Sequence, residues 1–475
     1  MYIDGSWCAA RNNATFDVYN PATGEKIGTV PDGSRTEAAR AITAARQAYK
    51  PWAALTAYQR SAYLYRAYQL MLERKEDLAR LMTAEQGKPL KAARNEVQYG
   101  ADFLLWYAEE AKRIYGETIP APRADQRFMV LRQPVGVVAA ITPWNYPVSM
   151  ITRKVAPALA AGCTIVLKPA EATPLCAVEI FKILHEAGIP RGVANLVTAL
   201  DPEPIGEEFI SNPLVNKITF TGSTEVGRLL ARSAADQIKR ISMELGGHAP
   251  FIVLEDADPV RAAKGSTLVK FLNTGQACIS PNRLFVHRSI ADTFIDTLKK
   301  RVEKMKAGNG LHDGVSIGPL VNTEALEKVD RQVKNALETG ADLITGGSRL
   351  MENDLDKGYF YAPTVLHNVR PDMLIYREET FGPVAPVIPF DSEDEVLEMA
   401  NDTHYGLAAY IYTQNISSAM RLLEGLNFGI VGINDINPTA AAAPFGGMKQ
   451  SGLGREGGHE GIAEYLETKL AGFSI

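Results

Sequence analysis

Apolar residues recur at helical spacing through the first quarter of the chain. Between residues 35 and 111 the sequence is rich in Ala, Leu, Glu, Arg and Lys, and Leu64, Ala67, Tyr68 and Met71 fall at i, i+3, i+4 and i+7, the period of one helix face. A short apolar stretch between charged ends, residues 127–132, predicts a strand. From Val135 the pattern becomes regular. A valine-rich run over 135–141 is followed by a helix over 148–161 that stops at Gly162. Strands are then expected at 164–167, 195–197, 217–220 and 240–243, separated by helical stretches at 174–187, 204–210 and 224–235. A second series begins after Gly246-Gly247, with strands at 251–254 and 284–286 and helices at 259–271 and 291–305. Strands alternating with helices of this length predict βαβ units, hence parallel sheets covered on both faces. Residues 466–473 are expected as a terminal strand. Gly246-Gly247 reads as a hinge, since paired glycines tolerate unusual dihedrals.

Length and composition narrow the class. At 475 residues the chain calls for two or more cores. With 46% hydrophobic and 22% charged residues it reads as an ordinary soluble globular protein. A net charge of -5 offers no basic footprint for nucleic acid or an anionic membrane, and no run approaches the roughly 20 apolar residues that span a bilayer. The opening Met1-Tyr2-Ile3-Asp4-Gly5-Ser6 lacks the charged start and apolar core of a secretory leader, so a cytoplasmic protein is expected. No internal repeat or low-complexity tract interrupts the chain. The four cysteines, at 8, 163, 176 and 278, lack metal-ligand spacing and make a poor disulfide framework, so they read as free thiols and no metal site is expected.

Several segments carry chemistry. Gly222-Ser223-Thr224-Glu225-Val226-Gly227 follows a strand and opens a helix, where backbone amides and the helix dipole favour a pyrophosphate, although any tight strand-to-helix turn also calls for glycine. Lys168-Pro169-Ala170-Glu171 ends another strand; a glutamate there can accept both ribose hydroxyls of an adenosine and repels a 2′-phosphate, while two solvated loop charges are the plainer alternative. Cys278, in Gly275-Gln276-Ala277-Cys278-Ile279-Ser280-Pro281, lies in a loop rather than on a packed face, the setting in which reactive groups are displayed. No histidine adjoins it in sequence; His248, beside Gly246-Gly247, reads equally well as a solvated loop side chain. Glu244 ends a strand, either as a terminating charge or, if partly buried, as a base for water.

Together these segments resemble the aldehyde dehydrogenase superfamily along nearly the whole chain. The resemblance rests on Thr142-Pro143-Trp144-Asn145, Lys168-Pro169-Ala170-Glu171, Phe220-Thr221-Gly222-Ser223, Glu244-Leu245-Gly246-Gly247, Gly275-Gln276-Ala277-Cys278, Glu378-Glu379-Thr380-Phe381-Gly382-Pro383 and Pro444-Phe445-Gly446-Gly447. Cys278 stands 34 residues after Glu244, in the family's order. The resemblance implies an α/β fold with a Rossmann-type NAD(P)-binding domain (residues 1–115 and 135–246), an α/β catalytic domain (247–446) and a β bridging element for oligomerisation (116–134 and 462–475), hence a homodimer or homotetramer. It implies Cys278 as nucleophile toward an aldehyde, Asn145 and the Cys278 amide as the oxyanion site, and Glu244 as the base that hydrolyses the thioester. It assigns the cofactor to Thr142, Trp144, Lys168, Glu171, Gly222, Ser223, Glu379 and Phe381, with NAD preferred over NADP through Glu171. The presence of Glu244 favours a free acid over acyl transfer to coenzyme A.

Within the superfamily the chain is most similar to succinate-semialdehyde dehydrogenases, through Met150-Ile151-Thr152-Arg153-Lys154, the stretch Ser242 to Val253, and Lys449-Gln450-Ser451-Gly452-Leu453-Gly454-Arg455-Glu456-Gly457. The likeness implies that Arg153 grips a substrate carboxylate, a task suited to a guanidinium fork; a surface arginine on a helix is the alternative. Two positions depart from the pattern. A second carboxylate-binding arginine six residues before the nucleophile is replaced by Leu272, a loss of about 2 kcal/mol of binding, and the mouth loop ends in Ala440-Ala441-Ala442-Ala443. Ser280 stands where some relatives carry a redox-partner cysteine, so a Cys278 disulfide switch is not expected. A sulfonated, longer or neutral aldehyde is the alternative substrate, and a catalytically silent relative the alternative from another class.

Overall fold

The valine-rich run becomes Val137–Ile141, an inner strand of an eight-stranded sheet. The computed structural model describes all residues from Met1 to Ile475. From Val137–Ile141 the chain steps outward to the parallel strands Thr164–Lys168 and Ala194–Leu196. It then returns to pair Val215–Thr221 against the opposite side of Val137–Ile141, and places Arg240–Glu244 beyond it, again parallel. The order of strands therefore reverses between Val137–Ile141 and Val215–Thr221, and beyond their carboxyl ends lies the crevice where open α/β sheets bind ligands. Tyr2–Ile3 and Ser6–Trp7 extend one edge of this sheet and Gly452–Leu453 the other, all antiparallel.

The helical period of the first quarter resolves into four helices, Arg35–Ala53, Ala57–Glu73, Lys75–Gln86 and Leu90–Glu110. The first two begin with reciprocal caps, Ser34 with Glu37 and Thr56 with Gln59, which satisfy amides that a helix start leaves open. Leu90–Glu110 packs on Ser149–Ala161. Every residue of Ser149–Ala161 is buried, Arg153 and Lys154 included, and it ends at Gly162 with φ 97°, a left-handed stop that suits glycine. No helix is long and apolar enough to cross a membrane.

The second sheet has seven strands, in the order Asp342–Thr345, Thr364–His367, Val384–Phe390, Pro281–His287, Ala249–Val253, Ala408–Tyr412 and Ile430–Ile433. All pairs are parallel except at the Asp342–Thr345 edge. Two of these strands were expected from the sequence pattern. The helix Pro259–Lys270, started by Asp258 accepting from the Val260 and Arg261 amides and by Pro259 in the first turn, delivers the loop that carries Cys278.

The expected strands near 127–132 and 466–473 form and pair with each other. Gln126–Pro134 lies antiparallel to Leu466–Ser474, with Glu117–Ile119 on its other side. Residues 462 and 463, at the start of the expected bridging element, instead end the helix Gly458–Ala463, and the strand begins at Leu466, where it was expected. Met129, Leu131, Leu470 and Phe473 are all more than a third exposed on this small sheet.

Candidate active site

The loop after Pro259–Lys270 is strained. Asn273, Thr274 and Gly275 hold φ of 49°, 59° and 77° in succession. For the β-branched Thr274 this is a costly conformation that surrounding contacts must impose. The contacts are present: Thr274 Oγ1 donates to Gly318 O at 3.2 Å and accepts from Gly318 N at 3.0 Å. Asn273 Nδ2 donates to Asn145 O at 2.9 Å and to Gln276 O at 3.2 Å. A side chain at Gly275 would run into the carbonyl of Gly382. The loop so held leaves Cys278 partly accessible, whereas Cys163 and Cys176 are buried. No acceptor in the protein takes the Cys278 backbone N–H.

Glu244, the last residue of its strand, is 2% exposed and faces the Cys278 thiol. Neither carboxyl oxygen has a hydrogen-bond partner of ordinary geometry. Burial pushes its pKa up to about 7; Arg153 opposes that rise and Glu456 adds to it. Burial also pushes the Cys278 thiol well above its usual range, and the neighbouring Glu244 charge raises it further. The pair therefore rests with the thiol protonated and a carboxyl group poised near neutrality to receive a proton. Asn145 is buried, with Nδ2 donating to Gln276 O at 3.1 Å, two residues before Cys278, and its Oδ1 unpartnered. His248 is not solvated: it is fully buried, its Nε2 lies 2.7 Å from Tyr376 O, and burial depresses its pKa far below the usual value.

Arg153 is brought to the same place but is not a surface arginine. It is 2% exposed, its Cζ lies 4.1 Å from the centre of the Phe445 ring, and its Nη2 lies 2.7 Å from Glu456 Oε2. Nε and Nη2 both lack a hydrogen bond of good geometry, so donor capacity remains despite the ion pair. Lys154, the next residue, also pairs with Glu456. Sequence reasoning missed Lys154 and Glu456 as members of the site. Both stand in motifs quoted for the resemblance, but nothing local couples residues 302 positions apart. Tyr99, whose buried hydroxyl has no partner and whose polar neighbours include Arg153 and Thr439, was also missed. Leu272 is 40% exposed.

Thr142, Trp144, Lys168, Glu171, Gly222 and Ser223 stand at or just beyond the carboxyl ends of strands of the first sheet, whereas Glu379 and Phe381 precede the strand Val384–Phe390 of the second. Thr142 follows and Thr221 ends one of two adjacent strands, and their buried hydroxyls have no partner. Ser223 is exposed and caps Thr224–Ala234 by accepting from Val226 N at 3.3 Å, so the amide end of that helix opens at the sheet edge beside Gly222. Lys168 is 3% exposed and reaches Glu171, 43% exposed, at 3.0 Å. Trp144 and Phe381 meet edge to face, centroids 5.5 Å apart, with Phe381 at φ 53°. Glu379 Oε1 accepts from Gly247 N at 2.9 Å. Helix amides, two carboxylates and orphaned hydroxyls suit the pyrophosphate and ribose hydroxyls of a dinucleotide. The glycine pair has a reason other than unusual dihedrals, since neither residue has positive φ. A Cβ on Gly246 would lie 3.0 Å from Glu379 Oε2, and one on Gly247 would collide with the Cys278 carbonyl. Close approach of two segments, not hinge freedom, demands glycine there.

The sequence model of the Aldehyde dehydrogenase family matches residues 7–471. The chain is 50% identical over its whole length to the glutarate-semialdehyde dehydrogenase of Pseudomonas putida KT2440, covering 97% of that protein. It is also 50% identical to a 3-sulfolactaldehyde dehydrogenase of Pseudomonas putida, over 98% of this chain and 95% of that protein. The NADP(+) succinate-semialdehyde dehydrogenase of Escherichia coli is 50% identical, over 98% of this chain and 96% of that protein. The crystal structure of a succinate-semialdehyde dehydrogenase from Burkholderia pseudomallei superposes with a TM-score of 0.98 at 49% identity, covering 100% of this chain and 97% of that one. With the strand order, the cleft and a family match over almost its entire length, the chain belongs to the aldehyde dehydrogenase family, whose members are oxidoreductases that use NAD or NADP.

Proposed function

We propose that the protein oxidises a small anionic aldehyde, succinic semialdehyde or a close carboxylated or sulfonated analogue, to the free acid. The observation that carries this reading is the unsatisfied donor set near Cys278. Arg153 Nε and Nη2 and the Tyr99 hydroxyl are buried without acceptors of good geometry, and an anionic group at the far end of the substrate would satisfy them. The relatives named above carry the names of glutarate, succinate and sulfolactaldehyde substrates, which all hold an anion a few bonds from the aldehyde. Leu272 in place of a second arginine leaves Arg153 as the main cation for that group.

In this reading Glu244 accepts the Cys278 proton, and the thiolate adds to the aldehyde carbon. Asn145 Nδ2 and the free Cys278 amide hold the alkoxide of the thiohemiacetal. Thr142, Trp144, Lys168, Glu171, Gly222, Ser223, Glu379 and Phe381 would hold the dinucleotide, which when bound would supply the hydride acceptor for oxidation of the thiohemiacetal to a Cys278 thioester. Glu244, once it has released the thiol's proton to solvent, takes a proton from water as the oxygen attacks the thioester carbon. The carbon–sulfur bond breaks, and carboxylic acid and free thiol are released. Glu171, able to accept from ribose hydroxyls, favours NAD over NADP. Residues 1–115 with 135–246 act as the cofactor domain and 247–446 as the catalytic domain. The exposed apolar sheet of 116–134 and 466–474 is the surface for a homodimer or homotetramer. A mechanism that needs a free thiol suits the reducing cytoplasm.

The test is kcat/KM with NAD and NADP over succinic semialdehyde, glutaric semialdehyde, a sulfonated aldehyde, propanal and benzaldehyde. Anionic aldehydes are expected to lead, with Arg153→Ala raising KM for them and sparing neutral ones. An equal loss for both kinds would end the anion reading. No thiol-dependent NADH or NADPH formation with any aldehyde would point to a silent relative.

A further inference from the structure

Behind Asn145, away from the reacting groups, lies a second buried ion pair. Lys88, just after the left-handed Gly87 that ends the helix Lys75–Gln86, and Glu96, on the helix Leu90–Glu110, have side chains only 1% exposed and contact each other directly. Neither belongs to the machinery described above. The Lys88 ammonium is fully engaged: it donates to Glu96 and, at 2.7 Å, to the main-chain oxygen of Asn145, and it lies 4.0 Å from the centre of the Tyr146 ring. With Asn273 Nδ2 at 2.9 Å, that one carbonyl receives two donors, one from the link between the helices Lys75–Gln86 and Leu90–Glu110 and one from the strained loop before Cys278. Glu96 uses its other oxygen, Oε1, to accept from Val148 N at 2.9 Å and Ser149 N at 3.2 Å. Those amides open the helix Ser149–Ala161, whose own N-cap residue, Val148, offers no capping side chain.

A lone buried charge would be costly, and a buried pair gives little net stability against an apolar replacement. What this pair does is geometric. Its two ends grip both sides of the four-residue turn from Asn145 to Val148, so the peptide plane after Asn145 cannot rotate without breaking the Lys88 bond, and the helix start cannot slide without breaking the Glu96 bonds. We propose that the Lys88–Glu96 pair is a positioning device for the Asn145 side chain, setting the direction of its amide toward the oxyanion without itself touching substrate. This rests on the reading of Asn145 as an oxyanion donor.

The experiment is a double-mutant cycle of Lys88→Met and Asn145→Ala in the full-length enzyme, following kcat/KM for the aldehyde, the pre-steady-state burst of reduced cofactor and the dissociation constant of NAD. Asn145→Ala alone should cost about 100-fold or more in kcat/KM. Lys88→Met should cost about tenfold or more in both burst rate and kcat/KM, because small misplacements at a reacting centre are expensive, and it should leave NAD affinity unchanged. In the Asn145→Ala background the same Lys88→Met change should cost less than about twofold, as expected for coupled positions. A purely structural role for Lys88 would multiply in full in that background and would overturn the inference, as would an unchanged kcat/KM in Lys88→Met alone. An Asn145→Ala enzyme with undiminished kcat/KM would instead refute the oxyanion assignment itself, taking this inference with it. Should Lys88→Met fail to fold, Glu96→Gln carries the same cycle, since glutamine keeps an oxygen for the Val148 and Ser149 amides but removes the charge that seats Lys88.

Discussion

Arg153 and Glu456 meet in the interior, Nη2 2.7 Å from Oε2, with side chains 2% and 8% exposed. Lys154 shares the same carboxylate, and Glu244 lies within reach of the whole group. The four charges balance when Glu244 is ionised. Of the charged groups that act on the Glu244 carboxyl, Arg153 is the main one that draws its pKa down. Replacing Arg153 with Met is therefore expected to raise the Glu244 pKa and move the acidic limb of the kcat/KM profile to higher pH, in addition to raising KM for anionic aldehydes. A limb that stays in place would detach Arg153 from Glu244.

Glu244 itself should govern that limb. A base with a pKa of about 7 is half ionised there, so activity should rise with pH through that region. The sign for stability is the reverse. The folded pKa lies above the ordinary 4.5 of the unfolded chain, so the cost of ionising the buried group is absent below about 4.5 and complete above about 7. Glu244→Gln removes that cost. Its melting temperature should match the wild type near pH 4 and exceed it at pH 8, by an amount on the order of 3 kcal/mol in stability. Stopped-flow measurement of the same variant should show slower deacylation than acylation; loss of the reduced-cofactor burst would assign Glu244 chiefly to thiol activation.

The cysteines should label unequally. Cys8 and Cys278 keep accessible surface, and Cys163 and Cys176 do not. Iodoacetamide followed by intact and peptide mass spectrometry should mark the first two in the native protein and spare the others. Because Glu244 is read as the group that takes the Cys278 proton, Glu244→Gln should slow alkylation of Cys278 at pH 8. Unchanged or faster alkylation would detach Glu244 from thiol activation.

Cofactor choice should turn on Glu171, which lies 3.0 Å from Lys168 at the sheet edge. A carboxylate there repels a 2′-phosphate and a freed lysine attracts it. Glu171→Ser is expected to raise kcat/KM with NADP about tenfold or more relative to NAD, roughly 1.4 kcal/mol. An unchanged ratio would put cofactor selection elsewhere.

The small sheet offers a direct test of assembly. Met129, Ala471 and Phe473 project from one face of Gln126–Pro134 and Leu466–Ser474, with Met129 39% and Phe473 48% exposed. Met129→Glu with Phe473→Asp should reduce the particle mass measured by light scattering to that of a single chain, with little change in far-ultraviolet circular dichroism. An unaltered mass would move the interface elsewhere.

Local pattern carried the first sheet well. Val137–Ile141, Thr164–Lys168 and Val215–Thr221 are apolar runs punctuated by Gly162 and Gly222, and a period of two or of about 3.6 concerns near neighbours that the chain itself supplies. The same pattern failed in the second sheet, where Thr364–His367 is four residues long and Val384–Phe390 contains two prolines, so neither offers a clean period. Motif order was enough to nominate Cys278, Glu244 and Asn145. It said nothing of Glu456 closing on Arg153 and Lys154, of Lys88 and Glu96 gripping the turn at Asn145, or of Gly247 standing bare because the Cys278 carbonyl passes against it. Those contacts join residues tens to hundreds of positions apart, and only packing of the two sheets decides which charges are desolvated together and which are left in water.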